Sequence, residues 1–189
     1  MYVGKTAMFK NGLIVRHQWF LVLILLLASS SSQAVPPMIA QVAQENHVPT
    51  ELFYALILAE TQSHTQQGRQ AWPWTINHKG QPHFFQTKED AYRYGERLLG
   101  QGSSNFDIGI AQINWKWHRK KFNDSLWDAL DPYTNLGVAA RHLRKQYERP
   151  ECAQWDLAIG CYHRPARGHK DLMIANNYMN RVINIWFEL

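Results

Sequence analysis

Cysteines, long apolar runs and metal-ligand spacing are all scarce in this 189-residue chain. The cysteines are two, Cys152 and Cys161, and they lack the close paired spacing of a zinc site. His78, His83, His163 and His169 are scattered without an HExxH pattern, so no metal is expected. The longest apolar stretch, Trp19 to Ala28, is only ten residues, half of what a spanning helix needs. Past Ala34 there is no low-complexity segment and no internal repeat, which leaves an ordinary globular chain.

The short apolar stretch has a definite context. Lys5, Lys10 and Arg16 precede it, and Ser32-Gln33-Ala34 follows as a small-residue exit. A positive flank, a greasy core and a small-residue cut site describe a secretory signal peptide over residues 1–34. Residues 35–189 are then the mature domain, delivered to the periplasm. The segment removes three basic residues and no acid, so the chain's charge of +5 falls to +2. The high isoelectric point is therefore partly a targeting signal, and nucleic acid is not an expected partner. An oxidising compartment would allow Cys152 and Cys161 to bridge. On one continuous helix they would stand about 13 Å apart, too far for a disulfide. A bridge requires Cys152 to lie in the Arg149-Pro150-Glu151 turn and fold back; two buried thiols are the alternative.

One acid closes a run of apolar residues, Phe53-Tyr54-Ala55-Leu56-Ile57-Leu58-Ala59-Glu60. On a helix Glu60 stands above Ile57, Leu56 and Phe53, on a face that should be buried. Desolvation disfavours the charged carboxylate and raises its pKa, making Glu60 a candidate proton donor near neutral pH. An acid at the solvent end of a core helix would show the same eight residues, so the rest of the chain must decide.

That chain reads as mainly α (α+β), with one small β-hairpin insertion. Pro36-Pro37 opens a helix to about Asn46, broken by His47-Val48-Pro49, and Thr50 caps the helix of Glu60. The polar run Thr61 to Gln70 ends that helix. Trp74 to Asn77 and Pro82 to Phe85 flank a turn at 78–81 and predict a hairpin. Thr87 with Asp90 resembles a capping box for a helix to about Leu99. Phe106 to Ile113 reads as extended or irregular, because Gly109 discourages a helix. Later helices are expected from Asp124 or Ser125 to Leu130, from Asp131-Pro132 onward, from Gln154 to Tyr162, and from about Asp171 to Phe187. The Asp131-Pro132 helix should bury Leu136, Ala139, Ala140, Leu143 and Tyr147. The last should bury Ile174, Tyr178, Val182, Ile185 and Trp186.

Three later segments could carry chemistry beside Glu60. Gly109-Ile110-Ala111-Gln112-Ile113-Asn114 offers a glycine, whose bare backbone can approach a ligand, and an amide that both donates and accepts. Ala158-Ile159-Gly160-Cys161-Tyr162-His163 is a small-residue helix ending in two polar aromatics. Asn177-Tyr178-Met179-Asn180-Arg181-Val182 follows. Around them Trp72, Trp74, Trp115 and Trp117 supply faces that could stack on sugar rings. In order and spacing this set resembles the SLT-type (family 1) lytic transglycosylases, the lysozyme-like enzymes that cleave the glycan of peptidoglycan. The resemblance covers roughly Pro37 to Leu189. It rests on Glu60-Thr61, on the Gly109 to Ile113 segment, on Ala158 to His163 and on Tyr178-Met179. Trp72-Pro73-Trp74-Thr75-Ile76-Asn77 is similar to an insert of the subset associated with conjugative elements and secretion systems. The sequence departs from the family pattern at Thr61, usually Ser, at His163, usually Asn, and at Met179, usually Val.

The resemblance implies a lysozyme-like single domain, with Glu60 as the lone acid and base and no cofactor. It implies that Gly109, Ile110, Gln112, Tyr162, His163 and Tyr178 contact the substrate. It implies peptidoglycan glycan strands as substrate, with components of a conjugation or type IV secretion apparatus as partners. A hydrolytic muramidase and a non-catalytic peptidoglycan-binding component of an envelope assembly are the alternatives. Asp107 is the rival carboxylate. On an extended strand Asp107 and Gln112 differ by an odd number and face opposite ways, unless Gly109 marks a bulge.

Overall fold

Helix α2, Thr50–Thr61, buries nine of its twelve residues, so it is covered on every side and must run through the centre. The chain around it is known from a computed structural model that describes residues 34–61, 63–65, 68–164 and 168–189. The segment read as a signal peptide, residues 1–34, lies outside the described residues except for Ala34. Residues Ala34–Leu189 form one compact unit. Phe53, Leu56, Ile57 and Leu58 are all but inaccessible. Each such side chain contributes roughly 1.5–3 kcal/mol by leaving water. Helix α2 begins at Thr50 itself, and the Pro49 carbonyl accepts from the Phe53 amide at 2.9 Å. Thr50 is thus the first helical residue rather than the cap.

Helix α1, Pro37–Glu45, starts with a proline whose missing N–H costs nothing there, and it buries Ile39, Val42 and Ala43 against α2. After α2 the polar run does more than end a helix. It forms a short antiparallel ribbon, β1 (Ser63–Thr65) with β2 (Gly68–Gln70).

The expected hairpin is present as β3 (Thr75–His78) and β4 (Gln81–Phe84). Lys79 and Gly80 both have positive φ (56° and 80°), the two-residue turn whose twist suits paired strands. The hairpin is only half of the sheet, however. Phe106 to Ile113 is a second hairpin, β5 (Phe106–Ile108) and β6 (Ile113–Asn114), giving the antiparallel order β4-β3-β5-β6. The stretch expected to be extended or irregular is two strands joined by a turn, because Gly109 (φ 81°) and Gln112 (φ 46°) turn the chain back. Cross-strand register places Ile76 beside Ile108, both fully buried, and Asn77, Asp107 and Asn114 in the neighbouring row.

The rest is helical. Helix α3 (Lys88–Gly100) is capped by Thr87, whose hydroxyl accepts from the Asp90 amide at 3.1 Å and donates to its carboxylate at 2.7 Å. Short helices α4 (Trp115–His118) and α5 (Leu126–Ala129) flank a 3-10 turn, Arg119–Phe122. Helix α6 (Pro132–Tyr147) has Asp131 as N-cap, accepting from the Thr134 amide at 2.8 Å. It buries Leu136, Ala139, Ala140 and Leu143, while Tyr147 is half-buried and stacked on Trp155. Helix α7 (Trp155–His163) packs closely on α8 (His169–Glu188): a Cβ on Gly160 would stand 3.2 Å from the Ala175 carbonyl. The buried stripe of α8 is Ala175, Tyr178, Val182 and Ile185. Ile174 is half-buried and Trp186 is 41% exposed, because the stripe drifts off both by one position.

Cys152 and Cys161 are bridged, with Cα atoms 6.5 Å apart. Cys152 ends a 3-10 turn, Pro150–Cys152, that folds back on α7, which is the geometry a bridge required. The molecule is mainly helical with a small antiparallel sheet. Among the described residues no helix is long and apolar enough to cross a membrane.

Candidate active site

Glu60 lies in the last turn of α2, where the central helix meets a cleft of about 390 Å³. The residue keeps some exposure on the cleft side, while protein surrounds its carboxyl group. Burial is the dominant influence and raises its pKa from 4.5 to about 7. The Tyr178 hydroxyl and the Arg181 charge pull the other way, and the Asp107 carboxylate adds to the rise. The shift corresponds to about 3 kcal/mol against ionisation. Tyr178 arrives from the buried stripe of α8 and donates its hydroxyl to Glu60 Oε1. Burial and the nearby Glu60 charge keep the phenols of both Tyr178 and Tyr162 protonated, far above the usual tyrosine range.

Helix α7 brings Tyr162 to the same place. Its hydroxyl is buried and has no hydrogen-bond partner among the described residues, and the same holds for Asn114 Oδ1; both residues line the cleft. Two unsatisfied polar atoms in one cleft mark a place where a polar ligand can bond. His163, the next residue, lines the cleft and lays its ring flat on Tyr178, with centroids 4.2 Å apart and planes at 2°. Ring burial, Arg181 and Arg164 hold its pKa below the usual histidine value. A smaller hollow of about 230 Å³ borders His163 and Tyr178 on the other side, beside Arg181.

The second hairpin forms another wall. Asp107 and Gln112 both line the cleft, so the odd-number argument fails: the turn at 109–112 swings Gln112 round. Burial raises the Asp107 pKa, while a 2.9 Å hydrogen bond from Asn114 opposes the rise. Gln112 commits its amide nitrogen to backbone, donating to Gly109 O at 2.8 Å and Thr75 O at 3.2 Å. Only its carbonyl end remains for a ligand.

Gly109 and Ile110 do not line the cleft. Ile110 is buried in the core, and the bare side of Gly109 is occupied. A Cβ there would stand 2.4 Å from Asn135 Nδ2 and 2.8 Å from Ala129 O. The glycine admits the neighbouring helix rather than a ligand. Asn135, fully buried on α6, donates to Ile108 O (3.1 Å) and Ala129 O (2.8 Å) and accepts from the Ala111 amide (2.9 Å). Thr61 plays a comparable part at the end of α2, its hydroxyl 3.1 Å from the carbonyls of Ile57 and Gln70.

Of the four tryptophans, Trp117 alone lines the cleft, 73% exposed on its short helix. Trp115 is buried parallel to Phe106, and Trp72 donates its indole N–H to Phe85 O at 2.8 Å. Trp74 is half-buried, and its indole nitrogen has no partner among the described residues. Several contributors escaped the sequence reading. His118, His142 and Arg164 line the cleft, and Asn135 fixes its wall; Asn114, the end of the 109–114 segment singled out above, lines it as well. Burial, then Lys121 and His118, lower the His142 pKa to about 4, and His118 is also lowered, so both rings are neutral at pH 7. Asn135 carried a usable signal, a buried amide beside the apolar face of α6, the same kind of conflict that marked Glu60. Among the described residues no three His, Cys, Asp or Glu side chains converge to hold a metal ion.

The geometry offers a carboxyl group about half protonated at neutral pH, with two neutral phenols and several amides in and around one polar cleft. That combination can protonate a leaving group and hold hydroxyl or amide groups of a ligand. Comparison of the chain with family models, curated proteins and solved structures returned no match.

Proposed function

We propose that this protein is a peptidoglycan lytic transglycosylase with a lysozyme-like fold. The observation that carries the reading is the Glu60 carboxyl, held near pKa 7 by burial at the edge of a polar cleft and bonded by Tyr178. In this reading Glu60 donates its proton to the oxygen joining N-acetylmuramic acid to N-acetylglucosamine. The muramoyl 2-acetamido oxygen attacks the anomeric carbon as that bond breaks, one of the substrate-assisted exceptions to the two-carboxylate rule. Glu60, now a carboxylate, takes the proton from the C6 hydroxyl, whose oxygen closes a 1,6-anhydro ring and releases the acetamido group. Proton transfer of this kind contributes about 10²–10⁴-fold. A pKa near 7 suits an acid that must give a proton and then take one back.

The resemblance of the Glu60-Thr61, Gly109 to Ile113, Ala158 to His163 and Tyr178-Met179 segments supports the same assignment. It extends to export into the periplasm and to local wall opening for a conjugation or secretion apparatus. The test is digestion of purified sacculi with mass spectrometry of the soluble products. Anhydro-muramoyl ends are expected from the wild type and no product from Glu60→Gln; full turnover by that variant overturns the role of Glu60.

Hydrolysis is a second reading, favoured by one observation: Asp107 lines the same cleft and could hold a water. Reducing ends in place of anhydro ends would select it. Sacculus binding without soluble product would instead select a non-catalytic glycan-binding protein.

A further inference from the structure

A second cavity of about 340 Å³ lies along helix α6, and His142 lines both it and the cleft. Lys121, Arg141 and Lys145 surround this cavity, Val138 gives it an apolar patch, and no carboxylate lines it. Two acids nearby in sequence, Asp124 and Glu148, are already engaged. Arg119 and Lys120 both pair with Asp124, and Arg144 pairs with Glu148. Among the described residues no ion pair reaches Lys121, Arg141 or Lys145. Burial and then the charges of Lys145 and Arg141 pull the Lys121 ammonium below its usual pKa. Arg141 is folded along its helix over Gly137, where a Cβ would stand 3.1 Å from Nη1. Like charges gathered without a counter-charge cost stability, and an anionic ligand would offset that cost.

We propose that this cavity receives the carboxylates of the peptide stem that branches from a sugar bound in the cleft. The proposal rests on the glycan reading above. It draws its choice of anion from the shared His142 wall: a group seated here must be tethered within one side chain's width of the cleft. Peptide stems hang from every second sugar through the lactyl ether and carry several carboxylates. Arg141 offers a fork that matches a carboxylate, and the two lysines supply point charges around it. The neutral His118 and His142 rings leave the attraction to those three cations.

The test compares two substrates, stem-bearing glycan strands and the same strands after an amidase has removed the peptide and left only the lactyl carboxylate. For the triple variant Lys121→Gln, Arg141→Gln, Lys145→Gln, the ratio of kcat/KM on stem-bearing to stem-free strands should fall about tenfold or more. The single charge reversal Lys145→Glu, at an exposed position, should lower the same ratio and guards against misfolding of the triple variant. A ratio unchanged in both variants overturns the proposal. Equal losses on the two substrates do so as well, since they report only general attraction to a polyanionic wall. Should the wild type cleave neither substrate, the glycan-cleaving reading fails, and NMR titration with a synthetic muramyl tripeptide decides separately. Saturable shifts at the His142 and Lys145 amides that vanish in the triple variant uphold the anion site; their absence from the wild type, or their persistence in the variant, removes it.

Discussion

Asn135 occupies the space in which a side chain on residue 109 would stand, its Nδ2 lying 2.4 Å from that Cβ position. The same amide bonds backbone at Ile108, Ala111 and Ala129, so one residue of α6 fastens the turn of the second hairpin. Gly109→Ala should therefore destabilise by about 3 kcal/mol or more, through a non-glycine residue at φ 81° and overpacking of a full site. Asn135→Ala should cost about 3 kcal/mol, because three buried backbone groups lose their partner. The double variant should lose less than the sum in urea denaturation. Strict additivity would mean the two residues do not share one contact.

Glu60→Gln links stability to pH. The folded carboxyl titrates near 7 and the unfolded one near 4.5, so between these values the native state binds more protons. Wild-type stability then falls as pH rises through that window, by about 3 kcal/mol in all. The glutamine variant lacks this slope. It should gain on the wild type between pH 4 and pH 8, and parallel curves from denaturant titrations would contradict the raised pKa.

Tyr178→Phe removes a hydrogen bond that favours the charged form of Glu60. The Glu60 pKa should rise further, moving the alkaline limb of the activity profile up by about one pH unit. Product release measured from pH 5 to 9 reads this directly. A limb that stays put would show that another group governs it.

Cys152→Ser with Cys161→Ser should lower stability by roughly 2–3 kcal/mol, the value for so short a closed loop. Thermal melts of the oxidised wild type and the variant provide the comparison. Tyr162 directly follows Cys161, so the variant should also lose turnover on sacculi beyond what the shift in melting accounts for.

What could be read from the sequence was whatever depended on local pattern. Apolar crowding around Glu60 implied a central helix and a desolvated acid, and both are present. Asp131-Pro132, Thr87 and the Lys79-Gly80 turn announced themselves by their own chemistry. What failed depended on how distant pieces meet. Gly109 marks an extended or irregular stretch at 106–113, but not where it turns, because two positive φ values, one of them at a glutamine, leave little trace in composition. The sequence shows Gly109 only as bare backbone and does not announce that residue 135 will pack on it. His142 and Arg164 are ordinary residues until α6 and α7 are placed beside the hairpin.

The Asn135–Gly109 lock has a bearing on any loss-of-function scan of this chain. Variants at 109 would score as inactive alongside those at 60, although in the proposed mechanism one position moves protons and the other only keeps a neighbouring wall upright. Ranking hits by residual activity alone would merge architecture with chemistry. Ranking them by activity per folded molecule would pull the two apart.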